Sequence, residues 1–456
     1  MKKNEAADKR PATADKTKIQ INKKVPVNKK IVQMDKKLVS TDKKNVQIDK
    51  KLVSTDKKIV QMDKKIVPMD KKIVPTDKKL VPMDKKILPT DKKIISMDKK
   101  IISKGNFQIK IFQEINKLNI GKNIMVSPLS IYHILSLTAN GAANKTLAEM
   151  LQALSEKNLN ELNNNNKLIS SSISKIKSIE LANAVFTRFK PLENFTKIIQ
   201  EYKAKLDELK DAAQVNQWCS EATHKKIPKI VDKISGTDKM VLINAIYFKG
   251  IWQQPFDKKA TYIDTFMSLN KYPKKVSFMK NTKEFYYFED TNIQAISLNY
   301  NKDNLRALII MPKKTEINNY IKTFTSEKYH MIIKELINKK VILSLPKFEI
   351  DFSAELRSNF QALGMKEAFT KSADFSVMKK EKDIYISLII HKTFIKVDEK
   401  GTEAAAATAV VMRETCAFPP EPVPIMKVDH PFLFIIGNND LPQGNDMIFI
   451  SKVENL

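Results

Sequence analysis

Cysteine is scarce in this chain, whose 456 residues contain only Cys219 and Cys416. The two lie in dissimilar sequence surroundings, so we expect no disulfide framework of the kind that holds small secreted domains together. We expect two free thiols. The fold must therefore depend on a hydrophobic core, and a chain of this length can supply one.

Long apolar runs are also missing. No stretch approaches the roughly 18 consecutive apolar residues of a membrane-spanning helix, so we expect no transmembrane segment. Residues 1–10 are charged and are not followed by the apolar core of a secretory signal. The sequence accordingly predicts a cytoplasmic or other intracellular protein, with an extracellular location by atypical export as the alternative.

Patterns for catalysis and metal binding are absent too. No Gly-x-Ser-x-Gly, Gly-x-Gly-x-x-Gly or Walker sequence occurs. The five histidines show no metal-ligand spacing: His133, His224, His330, His391 and His430. We therefore predict no catalytic residue, no metal site and no cofactor, and we do not expect an enzyme.

Aromatic side chains are absent from residues 1–104 and recur from Phe107 to the end. Those first residues carry 31 Lys and Arg against 13 Asp and Glu, which is +18 of the chain's net charge of +29. A segment so charged and so poor in large apolar side chains cannot bury a core. We expect a basic, low-complexity and mostly disordered tail over 1–104, followed by a globular domain over 105–456.

The tail contains a tandem repeat. The triplet Asp-Lys-Lys recurs every seven residues, ten times, from Asp35 to Asp98. Apolar residues between the triplets have coiled-coil spacing, but proline occurs in four successive repeats and each would cost a helix about 3 kcal/mol. A continuous coiled coil through 63–90 is therefore excluded, whereas 31–62 could be locally helical. A functional alternative is an arm that binds polyanions through charge alone, since no aromatic ring is present to stack on bases.

Beyond the tail, hydrophobic spacing predicts helices first and strands later. An amphipathic helix is expected over 107–118, and a second one begins at Pro128 with Ser127 as its N-cap. The asparagine run 163–166 is typical of a surface loop. Apolar runs then predict buried strands, at 240–250, 307–311 and 341–345. This order favours an α+β fold over a β-α-β alternation.

The stretch from Asp398 to Met412 is the least ordinary part of the globular region. Gly401 is typical of a turn, and the run of alanines after it has high helix propensity. The β-branched Val410 and Val411 favour a strand instead, and the proline-rich segment 418–424 cannot continue a helix. We interpret the stretch as an exposed, tethered loop that could become a strand.

An ordered set of motifs from Phe107 to the end resembles the serpins (serine protease inhibitors) of the intracellular ovalbumin-like type. The motifs include NIMVSPLS at 123–130, LINAIYFKGIW at 242–252, LSLPKF at 343–348, IHKTF at 390–394, the stretch from Asp398, and DHPFLF at 429–434. The resemblance implies three β-sheets, about nine helices and an exposed reactive-centre loop over about 399–424.

The resemblance also implies a function. The loop would be bait for a serine endopeptidase, with a cysteine endopeptidase as the second target class. The cleaved segment would insert as a new strand into the large sheet while the enzyme is still acyl-linked to it. The alternative is a non-inhibitory serpin-fold binding protein whose basic tail binds polyanions. In either case we expect a monomer.

Insertion requires small side chains at the start of the loop, called the hinge. The hinge residues are Glu399, Gly401, Thr402, Glu403, Ala404, Ala405, Ala406, Ala407 and Thr408. Because side chains of a strand alternate between faces, those turned to the core would be Thr402, Ala404, Ala406 and Thr408. All four are small, which favours the inhibitory interpretation.

The reactive bond and two supporting clusters are placed by the resemblance as well. Counting from Glu399 puts the bond between Thr415 and Cys416, with the bond between Arg413 and Glu414 as the alternative. The cluster called the shutter comprises Ser127, Ser130, Asn244 and His391. The cluster called the breach comprises Trp252, Lys347 and Glu399, the last two as a salt bridge.

Two departures from the family pattern stand out. The chain is several residues shorter than usual between Lys203 and Trp218, where an edge strand and a helix across the large sheet are expected. Near the C-terminus, Ser451 and Lys452 replace the family's usual glycine-arginine pair, a change that we expect the fold to tolerate.

Overall fold

A computed structural model describes residues 107–269, 271–402, 422–441 and 444–456. The predicted tail therefore lies outside the described residues. So do the hinge from Glu403 onward and both candidate reactive bonds, Thr415–Cys416 and Arg413–Glu414. Within the described ranges, no helix is long and apolar enough to cross a membrane.

The two helices that local signals predict, over 107–118 and from Pro128, are both present in the described ranges. Ser127 caps the second helix by accepting a hydrogen bond from the Ser130 backbone, and Pro128 occupies its first turn. This helix is buried along its whole length. The helices are α1 (107–117), α2 (Pro128–Ala139), α3 (Asn144–Ala153), α4 (Leu159–Ile173), α5 (Glu193–Glu201), α6 (Ala212–Ala222), α7 (Ile317–Thr323), α8 (Ser326–Glu335) and α9 (Arg357–Ala362).

The prediction of a surface loop at 163–166 is wrong, because these asparagines lie inside α4. Asn166 is only 2% exposed, and its Nδ2 donates to the Leu162 carbonyl at 3.0 Å. The Asn163 amide exchanges hydrogen bonds of 2.8 Å with Asn140. The partners that the amides find in the tertiary structure outweigh the preference of asparagine for turns.

The strands of the described residues form two sheets. They are β1 (Ile124–Val126), β2 (Ile179–Thr187), β3 (Lys205–Glu208), β4 (Met240–Phe248), β5 (Gly250–Ile251), β6 (Tyr262–Met267), β7 (Pro273–Glu289), β8 (Ile293–Asn299), β9 (Leu305–Pro312), β10 (Ile337–Pro346), β11 (Phe348–Glu355), β12 (Ile386–Asp398), β13 (Gly401–Thr402), β14 (Ile425–Lys427), β15 (Phe432–Asn438) and β16 (Met447–Val453).

The seven-stranded sheet has the order β3-β2-β4-β12-β13-β5, and β11 pairs antiparallel with β12 over Ile390 to Val397. Its central pair, β4 and β12, is parallel, and every residue of β4 is buried. Helix α6 covers one face of this sheet, where Val215 and Cys219 pack with residues of β2 and β4. Cys219 is a free thiol. Both β3 and α6 are thus present, although the chain is short between Lys203 and Trp218.

The nine-stranded sheet has the order β1-β16-β15-β9-β8-β7-β10-β14, with β6 paired to β7. The 17 residues of β7 join two parts of this sheet, because β6 pairs with the beginning of the strand and β8 with its end. If the two parts joined by β7 are counted as separate sheets, they and the seven-stranded sheet make up the three sheets that we expected.

The departure at Ser451 and Lys452 produces a buried ion pair. Lys452 and Glu454 are both fully buried, and Lys452 Nζ lies 2.5 Å from Glu454 Oε2. The ammonium group also donates to the Asn119 carbonyl and to Asn318 Oδ1, each at 3.1 Å. The charge of Lys452 is therefore compensated within the fold.

Candidate functional site

The chain reverses direction at the end of β12 and enters the seven-stranded sheet again as β13. This short strand is antiparallel to β12, with Thr402 opposite Val397, and it pairs on its other side with β5. Gly401 has a φ of +153°, and a Cβ there would lie 2.1 Å from the carbonyl oxygen of Gly250. Only glycine can therefore occupy this position without moving β5.

Thr402, the first inward-facing hinge residue, is fully buried. Its Oγ1 lies 2.8 Å from the hydroxyl of Tyr300, whose burial raises the pKa of that phenol. The Tyr300 ring stacks on Trp252 at 4.5 Å between centroids and meets Phe248 edge-on at 5.0 Å. The start of the hinge is therefore held in the sheet by backbone pairing and by one buried hydrogen bond.

The three predicted breach residues lie together around the turn between β12 and β13. Trp252 Nε1 donates to the Asp398 carbonyl at 3.0 Å. Lys347 Nζ lies 3.1 Å from Glu399 Oε2, and the Thr261 hydroxyl donates to Glu399 Oε1 at 2.9 Å. Burial by itself would raise the pKa of Glu399, but hydrogen bonds from the backbone, Lys347 and Thr261 outweigh it and hold that pKa below its usual value.

The four predicted shutter residues also lie together, where β4 and β12 pair. The Ser127 backbone N–H donates to His391 Nε2 at 3.1 Å, so Nδ1 carries the ring proton and donates to Asn244 Oδ1 at 2.6 Å. The Ser130 hydroxyl donates to the same oxygen at 2.7 Å. Burial lowers the pKa of His391 to about 3, which keeps the ring neutral and fixes these donor and acceptor roles.

Strands β4 and β12 are direct neighbours, since Met240 to Tyr247 pair with Ile386 to Phe394. Asn244 and His391 are register partners within this pairing. A new strand between β4 and β12 could form only if this ladder and the shutter hydrogen bonds broke. The arrangement is therefore a closed sheet with a hinge at one end and a buried polar cluster across its central seam.

A comparison with known protein families matches residues 103–456 to the family described as serpin (serine protease inhibitor). The match covers most of the chain. The chain belongs to the serpin family.

Several known proteins are similar to this serpin over most of their length. A leukocyte elastase inhibitor from Xenopus laevis is 33% identical over 359 residues, which cover 73% of this chain and 94% of the relative. Intracellular coagulation inhibitor 2 from Tachypleus tridentatus is 30% identical, over 74% of this chain and 87% of the relative. The structure of the thermophilic serpin tengpin in its native state matches with a TM-score of 0.70 and 31% sequence identity. The match covers 84% of this chain and 97% of the tengpin chain.

Sequence reasoning missed several residues that this serpin places in these clusters. Tyr300 and Thr261 complete the breach, and Asn183 accepts a hydrogen bond of 2.6 Å from Asn244 Nδ2 in the shutter. None carries a local signal, because each partner lies 61 or more positions away in the sequence. His133 was noted only as one of five histidines without metal spacing, yet it extends the shutter through Asn183.

Proposed function

We propose that this serpin inhibits endopeptidases as a suicide pseudo-substrate. The target cleaves the loop and becomes acyl-linked to it through its own nucleophile. The freed segment then inserts between β4 and β12 and carries the enzyme with it before the acyl bond is hydrolysed. Membership in the serpin family and the names of the inhibitors that the chain resembles support this function.

The observation that carries the proposal is the placement of the hinge. Gly401 and Thr402 already occupy strand positions beside β12, and Thr402 is buried. The residues that would follow it into the core by strand alternation are Ala404, Ala406 and Thr408, all small enough to pass between packed strands. Insertion would extend a pairing that has begun at β13.

The shutter and the breach would control this insertion. The shutter side chains bridge β4, β12 and the start of α2, so their hydrogen bonds must break and form again when the central strands part. The breach fixes the turn from which insertion starts, through the Lys347–Glu399 pair and the Trp252 contact. Loss of these contacts would loosen the hinge and expose strand edges to pairing with other copies.

The reactive bond of this proposal joins Thr415 to Cys416, and the bond between Arg413 and Glu414 is the alternative. Arg413 before the bond would select a trypsin-like enzyme, because a carboxylate in the specificity pocket pairs with guanidinium. Thr415 would instead suit an enzyme with a small pocket. A serine endopeptidase is the expected target, and a cysteine endopeptidase is the second class.

Residues 1–104 form the tail and residues 105–456 form the inhibitory domain in this proposal. The net charge of +18 in the tail supports an electrostatic arm that holds the inhibitor on polyanions. We propose an intracellular monomer; the Tachypleus relative, intracellular coagulation inhibitor 2, supports this location. Deleting 1–104 should lower retention on heparin, because it removes +18 of the net charge of +29. Unchanged retention would remove the arm from the proposal.

A gel assay tests the inhibitory function. The full chain is incubated with a panel of serine and cysteine endopeptidases, and an SDS-resistant band at the summed mass is expected with the target. The mass of the released C-terminal fragment then identifies the reactive bond. Thr402→Arg should be cleaved without trapping, because a guanidinium cannot occupy the buried Thr402 site, whereas Thr402→Ser should still trap. Cleavage of the parent loop without a complex or a gain in heat stability would refute the proposal.

A further inference from the structure

A cavity of about 240 Å³ lies between the segment 252–254, which follows β5, and strands β7, β8 and β10 of the nine-stranded sheet. Polar groups dominate its lining. Sites for small molecules commonly enclose about 300 to 1,000 Å³. This smaller cavity therefore suits one large side chain, or a ligand of that size.

Strand pairing brings the polar side chains of the cavity wall onto one face of the sheet. Tyr286 on β7 is the register partner of Ser297 on β8 and of Asn338 on β10. Side chains two positions apart on a strand share a face, so Glu284 on β7 and Asn299 on β8 join them. All of them line the cavity. The register of three strands thus fixes this wall.

One buried hydroxyl on the wall has no partner. Ser297 is 4% exposed, and its Oγ makes no hydrogen bond within the described ranges. Ser451 Oγ also lacks a partner but is sealed from solvent, whereas Ser297 Oγ is not sealed and opens on the cavity that the residue lines. Buried polar groups in folded proteins nearly always have a partner. An occupant that hydrogen-bonds to Ser297 is therefore expected.

The carboxylate of Glu284 is the one charge on the cavity lining. Its Oε2 accepts a hydrogen bond of 3.2 Å from Asn338 Nδ2. Lys340 is its cross-strand partner on β10, yet Glu284 forms no ion pair in the part of the chain that the structure describes. A negative charge surrounded by hydroxyl and amide oxygens favours a cationic occupant that carries several N–H donors.

A guanidinium group suits this lining better than an ammonium group does. It is planar, carries five N–H donors in a fixed fork and is the more weakly hydrated of the two. It can therefore bond to a carboxylate and to a hydroxyl at the same time. Its flat face also stacks on aromatic rings, and Tyr286, which is 47% exposed, stands on the same wall.

We propose that this cavity binds the guanidinium group of an arginine side chain presented by a partner polypeptide. Glu284 is the counter-ion, and the Ser297 hydroxyl is the second acceptor. Neither residue belongs to the hinge, the shutter or the breach. The site therefore does not depend on the proposed inhibitory function.

Binding is tested on the full chain by ligand-observed NMR titration with n-butylguanidine and n-butylurea. The urea has nearly the same shape without the charge, so it should bind more weakly by a factor of about 2 to 10, the range that one hydrogen-bonded contact covers. Glu284→Gln should weaken n-butylguanidine by a similar factor and abolish its advantage over n-butylurea. Ser297→Ala should weaken both probes. Glu335→Gln, the matched control at the exposed end of α8, should keep the affinities of the parent.

The site would be refuted if n-butylguanidine did not bind, if n-butylurea bound as tightly, or if Glu284→Gln and Glu335→Gln behaved alike. Glu284 is exposed, so its variant decides the matter even if Ser297→Ala does not fold. Two further probes test the identity of the occupant. Nα-acetyl-arginine methylamide, which presents the side chain as a polypeptide does, should bind as n-butylguanidine does, and n-butylamine should bind more weakly. Failure of the blocked arginine to bind, or equal affinity for the amine, would overturn an arginine side chain as the occupant.

Discussion

The hydrogen bond between Thr402 and Tyr300 allows a precise test of how the hinge is held. Both side chains are buried, at 0% and 5% exposure, and their oxygens are 2.8 Å apart. Tyr300→Phe removes one hydroxyl while the ring can keep its stacking on Trp252 and its contact with Phe248. The perturbation is therefore confined to this bond, and it leaves the Thr402 hydroxyl buried without its partner.

The structure sets the size of the effect. A buried hydroxyl left unsatisfied costs about 1–3 kcal/mol, which corresponds to a factor of about 5 to 150 in the equilibrium between a held and a released hinge. Hydrogen–deuterium exchange of a peptide that spans 398–402 measures this equilibrium. We expect exchange in Tyr300→Phe to rise by that factor.

A double-mutant cycle provides the control for this prediction. Replacing both partners by apolar groups of similar shape is nearly neutral, so Tyr300→Phe combined with Thr402→Val should restore most of the protection that Tyr300→Phe loses. Exchange that stays at the parent rate in Tyr300→Phe would refute the reasoning. So would a double variant that exchanges as fast as the single one.

Three further predictions concern charged and titratable groups. Lys347→Met leaves the Glu399 carboxylate, which is 6% exposed, without its cation. Because the Lys347 side chain is 39% exposed, we expect the change to lower the stability of the breach by only about 1 kcal/mol. Light scattering should show faster self-association on heating, and adding Glu399→Gln should reduce this effect. His391 has a pKa of about 3 in the fold, below its ordinary value of 6.5, so the unfolded chain binds a proton that the folded chain does not, and stability falls as pH drops below 6.5. His391 should contribute about 2 kcal/mol to the loss at pH 5 relative to pH 7, and urea unfolding of His391→Gln should show a loss smaller by that amount. Lys452→Met should destabilise the fold by about 3–5 kcal/mol in urea, because it leaves Glu454 buried and unpaired, and adding Glu454→Gln should recover part of that loss.

Local signals explain which parts of the fold could be predicted. The start of α2 follows from Ser127 and Pro128, and the apolar run at 240–250 predicts β4, since capping and periodicity act within a few residues. The asparagine run at 163–166 was misassigned, because its partners, such as Asn140, come from elsewhere in the chain.

The candidate site, too, could be predicted only in part. The resemblance indicated which shutter and breach residues to group, and the structure places each group together. It could not indicate that Tyr300 holds Thr402, a contact between residues 102 positions apart, or that His133 extends the shutter through Asn183. Such contacts depend on side-chain packing between distant strands and helices, and periodicity contains no information about them.

The central claim is that β4 and β12 must part for an endopeptidase to be trapped. Ala245 and Lys392 are register partners on these strands, and neighbouring strands lie about 4.8 Å apart, within reach of a disulfide. In a chain that carries Cys219→Ala, the pair Ala245→Cys and Lys392→Cys can lock the seam when oxidised.

The measurement is the yield of SDS-resistant complex with the target endopeptidase before and after reduction of this disulfide. The oxidised chain should be cleaved in its loop without trapping the enzyme, and the reduced chain should trap it as the Cys219→Ala parent does. Equal complex yields from the oxidised and the reduced chain would contradict the account.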